Sequence, residues 1–320
     1  MPKYIFHLGY PKTGTTYLQR RIFSQLAGQQ VVITPESENI GMSIQALKSQ
    51  IQRDEVSEKF FDNLGDRNLL LSIEGMLFDP IQQFHRPEQR RPKFPAALRG
   101  IRSIISRNPG TDAALVVTLR AQPSLLHSLY AESATYHFNP IGLDTIEAYA
   151  QAVMDSSEGP HQAGWYYNFD NTLAEIRAEL PDIPLHVRYY EELGNNPAGE
   201  IAFWSELTGR TLEHVQGRDN TRAQGEGIKR ADPRSLHVPI INLKTKLAPG
   251  LKLPNKMRFF VRDTLKKIGR GESYDITLSD ELEGRLFAHF SKLNADLSAL
   301  GVNPPESIAH LYLDSLVTAS

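Results

Sequence analysis

The N-terminal stretch constrains the fold more than any other part of the chain. A short apolar run, Tyr4 to Leu8, is followed by a turn rich in glycine, proline and threonine and then by a helix-forming segment from Tyr17 to Leu26. This order predicts a strand, a loop and a helix, the unit that builds phosphate-binding loops. Gly9 and Gly14 allow the backbone to curl tightly, so that successive N–H groups and the positive end of the helix can converge on one anion. We therefore predict an anion-binding loop.

The spacing of this loop differs from that of a nucleotide hydrolase. The Walker A pattern G-x-x-x-x-G-K-[ST] requires a lysine directly after its second glycine. Gly9 and Gly14 have the required separation and Thr16 fills the last place, but Thr15 stands where the lysine is needed. The lysine is instead Lys12, inside the loop. There its ammonium can neutralise charge that builds on a leaving phosphate oxygen.

A six-residue segment of the loop matches the pattern P-K-[ST]-G-T-T throughout: Pro11, Lys12, Thr13, Gly14, Thr15 and Thr16. In its place between strand and helix, this segment resembles the 5′-phosphosulfate loop of the sulfotransferases that use 3′-phosphoadenosine 5′-phosphosulfate (PAPS). The resemblance implies that the segment binds this donor co-substrate, with the backbone at its C-terminal end on the 5′-phosphate. No metal is required in this scheme, because Lys12 and the loop supply the positive charge that Mg²⁺ supplies in kinases.

Composition limits the classes of protein that the chain can belong to. Its 320 residues with 40% apolar content predict one domain over residues 1–320, mainly helical from about residue 222. A formal net charge of −2 gives no general attraction to nucleic acid, so we expect no nucleic-acid partner. The absence of cysteine excludes disulfides, thiolate catalysis and Cys-bound zinc. No apolar run approaches the roughly 18 residues of a membrane span, and the N-terminus feeds directly into the loop, so we expect a cytoplasmic protein.

Apolar runs alternate with helical segments along the chain, which predicts a parallel sheet covered on both faces. The runs assigned as further strands are Val31–Thr34, Leu69–Ile73, Ala113–Leu119 and a run that begins at Leu185. The predicted fold class is α/β, a three-layer α/β/α arrangement with a central parallel sheet of about five strands. The resemblance implies the P-loop-like sulfotransferase version of this fold. Ligands on such sheets bind at the carboxyl ends of the strands, so the residues that follow each strand are the candidates for chemistry.

Glu74, directly after the Leu69–Ile73 run, is the candidate catalytic base. Transfer of a sulfuryl group to an alcohol needs a group that accepts the hydroxyl proton, and a partly buried carboxylate with a raised pKa can do so. In cytosolic sulfotransferases a histidine stands at the corresponding strand end, and in several glycan-modifying and bacterial relatives a glutamate does. Glu36 and His7, at the ends of the second and first strands, stay open as alternative bases. A lone histidine beside an apolar strand is more often structural.

Arg120 and Ser128 are the candidates for binding the 3′-phosphate of the donor. Arg120 ends the Ala113–Leu119 run, and Ser128 follows eight residues later on a predicted helix. A guanidinium fork binds two phosphate oxygens, and a hydroxyl about two helical turns further on can close over a third. The resemblance implies this role, because the family places an arginine and a serine at the same spacing. The pair favours a 3′-phosphorylated nucleotide over ATP, which has no group for that arginine to bind.

The later segments of the chain contain candidates for packing and for covering the bound donor, and none for the chemical step. Tyr190-Glu191-Glu192-Leu193 resembles an element of many bacterial sulfotransferases, and we interpret it as structural. A late glycine-containing loop supplies candidates for the 3′-phosphate lid: Arg218, Arg222, Lys229 and Arg230. Lys256–Ile268 predicts a helix with one apolar face and basic residues around the other. It either docks on the domain or lies on an anionic bilayer surface as a peripheral membrane contact.

Two basic stretches bear on the acceptor. Seven Arg or Lys residues stand against one acid from Phe84 to Arg107, and thirteen against three from Arg222 to Arg270. Such patches can steer an anionic donor or acceptor into a cleft. They favour a carbohydrate or glycolipid acceptor, with a small alcohol or phenol as the other class. The sequence predicts no oligomeric state.

The sequence therefore predicts a sulfotransferase that moves a sulfuryl group from PAPS to an acceptor hydroxyl. Lys12 and Glu74 are its catalytic residues. Two alternatives stay open at this point. One is a P-loop nucleotide-dependent kinase or phosphotransferase, in which Thr16 reaches a metal; the other is a non-catalytic nucleotide-binding protein.

Overall fold

The three-dimensional structure is a computed structural model of the 320-residue chain. It describes residues 1–28, 30–34, 42–77, 84, 93–134, 138, 141–159, 162–215 and 276–314. Several residues of the sequence predictions lie outside the described residues: Glu36, Arg218, Arg222, Lys229, Arg230 and Lys256–Ile268.

Five parallel strands form the sheet in the described part of the chain, in the order β2-β3-β1-β4-β5. Their bounds are β1 Lys3–His7, β2 Val31–Ile33, β3 Leu69–Ser72, β4 Asp112–Leu119 and β5 Leu185–Tyr189. Each lies within a residue or two of the apolar run that predicted it. The predicted α/β fold with a central parallel sheet is confirmed.

The helices around the sheet follow one another in chain order. Their bounds are α1 Thr15–Tyr17, α2 Ile44–Ile51, α3 Glu58–Leu64, α4 Lys93–Ser106, α5 Gln122–Ser133, α6 Ile146–Asp155, α7 Phe169–Glu179, α8 Glu192–Asn195, α9 Pro197–Thr208, α10 Asp280–Leu293 and α11 Glu306–Ala309. The helical path of α1 continues as a π-helical turn, Leu18–Ile22, and a 3₁₀ turn, Phe23–Leu26, so it ends where the sequence predicts. Among the described helices, none is long and apolar enough to cross a membrane.

Alternation along the central strand divides the core into two layers. Tyr4 and Phe6 of β1 point to one face of the sheet and join a cluster with residues of α2, α4, α5, α7 and α10. Ile5, between them, points to the other face and packs with residues of the two turns that follow α1 and with residues of α9, among them Phe23 and Trp204. Because successive side chains of a strand point to opposite faces, one apolar strand can serve both layers. The predicted three-layer arrangement is confirmed.

The strand order fixes where a ligand can bind. From β1 the chain crosses toward one edge of the sheet to form β2, and from β4 it crosses toward the opposite edge to form β5. β1 and β4 are neighbours, and their connections leave in opposite directions. A crevice opens outside the carboxyl ends of such a pair of strands. The loop after β1 and Arg120 after β4 lie at this crevice.

Candidate active site

The loop after β1 turns sharply at two residues with positive φ. Lys12 has a φ of 67° and Gly14 a φ of 79°. A left-handed conformation is ordinary for glycine but uncommon for lysine, so the surroundings must stabilise it at Lys12. Inside the loop, the hydroxyl of Thr13 donates a 2.6 Å hydrogen bond to the carbonyl of Tyr10. Thr13 therefore holds the turn closed from within.

Two predicted site residues bind the backbone of Lys12 on either side. Its N–H donates to Oε1 of Glu74 at 3.2 Å, and its carbonyl accepts a 2.8 Å hydrogen bond from Nη1 of Arg120. These contacts stabilise the left-handed conformation of Lys12. The structure thus brings together the predicted lysine, glutamate and arginine, which follow β1, β3 and β4.

Glu74 is partly buried between charged neighbours. Burial raises the pKa of its carboxyl, and the hydrogen bond and positive charge of Lys12 act in the opposite direction. The nearby carboxylate of Glu132 adds to the rise. A carboxyl with a raised pKa is a stronger proton acceptor once ionised, which is what a general base needs.

The side chain of Lys12 is paired with a residue that the sequence analysis did not single out. Its Nζ lies 3.2 Å from Oε2 of Glu132, near the C-terminal end of α5, and the side chains are 28% and 56% exposed. Its spacing could have identified Glu132 from the sequence, because it comes four residues after Ser128 and eight after Ser124 on one helix. Residues at these intervals share a face.

Arg120 binds Ser124 rather than Ser128 in the described contacts. Its Nε donates a 2.9 Å hydrogen bond to the hydroxyl of Ser124, one turn before Ser128. Ser128 is half-buried on the face that carries Ser124 and Glu132, both of which reach residues of the site. Its hydroxyl therefore belongs to the side of α5 that faces the loop. Whether Ser128 binds a phosphate stays a prediction.

The segment Tyr190–Leu193 supports the loop from the β5 side. The guanidinium carbon of Arg120 lies 4.4 Å from the centre of the Tyr190 ring, a cation–π contact. A Cβ built on Gly14 would come 2.4 Å from Cδ1 of Leu193 and 3.3 Å from Cδ2 of Tyr190. Glu191 accepts a 3.0 Å hydrogen bond from the N–H of Ala121 at the start of α5. The segment that we interpreted as structural therefore packs against the candidate site and supports its loop.

His7 lies in a separate, fully buried polar layer. Its Nδ1 is 2.8 Å from Oγ of Ser72 on β3, and its Nε2 is 3.2 Å from Oγ1 of Thr118 on β4. The amide nitrogen of Gln19 also donates to the hydroxyl and carbonyl of Ser72. Burial lowers the pKa of His7 to about 3, so the ring is neutral at ordinary pH. This environment fits the structural interpretation of His7 and gives it no access to an acceptor.

The described residues contain no group of three or more His, Cys, Asp or Glu side chains arranged to hold a metal ion. The charged side chains in and around the loop are those of Lys12, Glu74, Arg120 and Glu132. This arrangement can bind an anion through Lys12, the loop and Arg120, and it can accept a proton at Glu74.

Comparison with known proteins gives likeness only at the level of whole structures. No protein-family model matches the chain, and no curated protein matches it in sequence. The crystal structure of a sulfotransferase from Alicyclobacillus acidocaldarius is similar at 14% identity and a TM-score of 0.48, over 94% of this chain and 95% of that chain. The sulfotransferase domain from the curacin biosynthetic pathway is similar at 14% identity and a TM-score of 0.37, over 95% of this chain and 99% of that chain. Neither likeness carries a functional argument at these values.

Proposed function

We propose that this protein is a sulfotransferase that moves a sulfuryl group from PAPS to an acceptor hydroxyl. The observation that carries the proposal is the convergence of Glu74 and Arg120 on the backbone of Lys12. The loop sequence that resembles a 5′-phosphosulfate loop is thereby held in one conformation by the two residues predicted to act with it. Pre-positioned charges of this kind stabilise charge that develops in a transition state.

The proposed reaction exchanges one S–O bond for another. The acceptor oxygen attacks sulfur, and the bond between sulfur and the bridging oxygen of the 5′-phosphosulfate breaks. The proton of the hydroxyl passes to the carboxylate of Glu74, and the negative charge left on the 5′-phosphate is neutralised by Lys12. The products are a sulfate ester and 3′,5′-adenosine bisphosphate.

The donor is proposed to bind along the crevice between β1 and β4. The backbone of Gly14, Thr15 and Thr16 would hold the 5′-phosphate, since the first N–H groups of a helical segment have no partner within it. Arg120 and Ser128 would hold the 3′-phosphate. The backbone at Gly14 supports a backbone-lined cradle, because its φ of 79° strains any larger residue and an added Cβ would come 2.4 Å from Cδ1 of Leu193.

The acceptor is proposed to be a carbohydrate or glycolipid hydroxyl. The support is the basic character of the Phe84–Arg107 and Arg222–Arg270 stretches, which favours an acceptor that is already anionic. Turnover with labelled PAPS, measured across sulfated and unsulfated oligosaccharides, glycolipids and simple phenols, tests this. Higher kcat/KM for phenols than for every glycan would refute the acceptor class while leaving the donor assignment intact.

Calorimetric titration with 3′,5′-adenosine bisphosphate, ADP and Mg-ATP tests the proposed donor. We expect the bisphosphate to bind tightly, ADP to bind more weakly and Mg-ATP not to bind, with the tight binding of the bisphosphate lost on Arg120→Ala. Arg53→Ala is the matched control, because Arg53 is an exposed arginine paired with Glu55 and lies outside the two basic stretches. Binding of Mg-ATP without the bisphosphate would assign the loop to phosphoryl chemistry. Bisphosphate binding without turnover on any acceptor would favour a nucleotide-binding protein.

A further inference from the structure

The ion pair between Lys12 and Glu132 is not explained by the proposed reaction. In that reaction the ammonium of Lys12 must approach the oxygen that joins the sulfuryl group to the 5′-phosphate. In the structure it lies 3.2 Å from a carboxylate oxygen of Glu132 instead. A carboxylate and a phosphosulfate compete for the same positive charge.

We propose that Glu132 is a positioning residue that holds the ammonium of Lys12 in the donor-free protein and competes with the donor for it. This inference rests on the proposed function, because it gives Glu132 a part in donor binding. It assigns Glu132 no contact with the reacting atoms.

The exposure of the pair makes it exchangeable. The Lys12 side chain is 28% exposed and the Glu132 side chain 56%, so the carboxylate of the pair is largely hydrated, and such pairs are weak. The pair of Arg188 with Glu200 differs, because that carboxylate is 3% exposed and also accepts a hydrogen bond from Trp204. The buried pair is a fixed part of the fold. The exposed pair can open when an anion arrives.

The position of Glu132 on α5 connects its release to the donor. Ser128 lies one turn before Glu132 on the same face, a separation of about 6 Å along the axis at the usual helical rise. A 3′-phosphate on Arg120 and Ser128 would bring negative charge near Glu132 and weaken its hold on Lys12. Donor binding would thus favour the state in which Lys12 is free to meet the phosphosulfate.

Calorimetry on four proteins tests this proposal: the wild type, Glu132→Gln, Lys12→Met and the double variant. We expect Glu132→Gln to tighten the binding of both 3′,5′-adenosine bisphosphate and metal-free ADP by about two- to fivefold, the range of an exposed ion pair. In the Lys12→Met background, the same change should leave the affinity for ADP unaltered. Any tightening for the bisphosphate should be smaller than in the wild type, because only the direct effect of Glu132 on the 3′-phosphate is left. Glu58→Gln, which removes an exposed carboxylate paired with Arg107, is the control and should leave both affinities unchanged.

Three results would overturn the proposal. Unchanged or weaker binding in Glu132→Gln would mean that the carboxylate does not compete. Equal tightening in the Lys12→Met background would assign the effect to the general field of Glu132. Tightening for the bisphosphate alone would assign it to direct repulsion of the 3′-phosphate. Misfolding is not a source of false support, because a damaged site binds more weakly.

A second measurement separates this proposal from the proposed function. If neither nucleotide binds the wild type, the sulfotransferase assignment fails, but the ion pair can still be tested by acylation of Lys12 with an amine-reactive ester. Release from Glu132 removes the partner that occupies the Lys12 nitrogen, so we expect Lys12 to be acylated about two- to fivefold faster in Glu132→Gln. An equal rate in the two proteins would overturn the role of Glu132 whatever the function.

Discussion

Strands β1, β3 and β4 carry two polar layers of opposite character, a lower one within the strands and an upper one in the residues that follow them. In the lower layer His7 of β1, Ser72 of β3 and Thr118 of β4 form a fully buried network of neutral groups. In the upper layer Lys12, Glu74 and Arg120, which follow those strands, form a partly exposed network of charged groups. Only a few residues separate each member of one layer from its counterpart in the other.

The difference shows how a fold can hold charges in place without burying them. The lower layer satisfies its polar atoms internally and is shielded by Phe23 and Trp204, whose rings contact His7 edge-on. Neutral buried networks of this kind add rigidity. The upper layer keeps its charges where water or a ligand can exchange with them. We therefore expect changes in the upper layer to affect turnover and binding, and changes in the lower layer to affect stability.

The largest expected effect is that of Glu74→Gln in the upper layer. Glutamine keeps an oxygen that can accept the hydrogen bond of the Lys12 N–H but cannot accept a proton, so the loop is preserved and the base is lost. We expect kcat to fall about 10²- to 10⁴-fold, with the dissociation constant of 3′,5′-adenosine bisphosphate unchanged. Glu74→Ala, which removes both roles, should also weaken binding. Wild-type turnover in Glu74→Gln would remove Glu74 from the mechanism.

The next effect, on stability, is expected for His7→Leu in the lower layer. Leucine fills the space but leaves the hydroxyls of Ser72 and Thr118 without their ring partners. We expect the free energy of unfolding, measured by urea denaturation, to fall by about 3 kcal/mol, the cost of buried polar groups that lose their hydrogen bonds. Bisphosphate affinity of the folded fraction should remain near that of the wild type. A large loss of affinity without loss of stability would contradict the division between the layers.

A smaller effect is the dependence of stability on pH that we expect from His7 in the lower layer. His7 has a pKa near 6.5 in an unfolded chain and about 3 in the folded protein. As pH falls below 6.5 the unfolded state takes up the proton first, so stability is lost through the window from about 6.5 down to about 3. His7→Gln lacks this titration, and its stability difference from the wild type should shrink by about 2 kcal/mol between pH 7 and pH 5. An unchanged difference would mean that His7 is not buried as a neutral ring.

The sequence predicts the frame of the site better than its internal contacts. The parallel sheet and the positions of Lys12, Glu74 and Arg120 follow from apolar runs and from the rule that ligands bind at strand ends. The left-handed conformation of Lys12 does not follow, because it depends on hydrogen bonds with Glu74 and Arg120. These residues lie 62 and 108 positions further along the chain. The contacts of Glu132 and Tyr190 likewise depend on how α5 and β5 pack against the loop. The sequence around a residue does not predict its contacts with residues that are distant in the chain.

Two serines on one face of α5 give the smallest predicted effect. Ser124 accepts a hydrogen bond from Arg120, whereas Ser128 stands where the resemblance places a ligand of the 3′-phosphate. A hydrogen bond to a charged phosphate contributes about 1.5 kcal/mol at the low end of its range, so Ser128→Ala should weaken bisphosphate binding about tenfold and leave ADP binding unchanged. Ser124→Ala is the matched control on the same helix. It loosens Arg120, which also holds the carbonyl of Lys12, so it should weaken ADP as well as the bisphosphate, whereas Ser128→Ala should spare ADP. If instead Ser128→Ala left both affinities unchanged and Ser124→Ala weakened the bisphosphate while sparing ADP, the 3′-phosphate site would lie one helical turn nearer to Arg120, and Ser128 would be left as a packing residue.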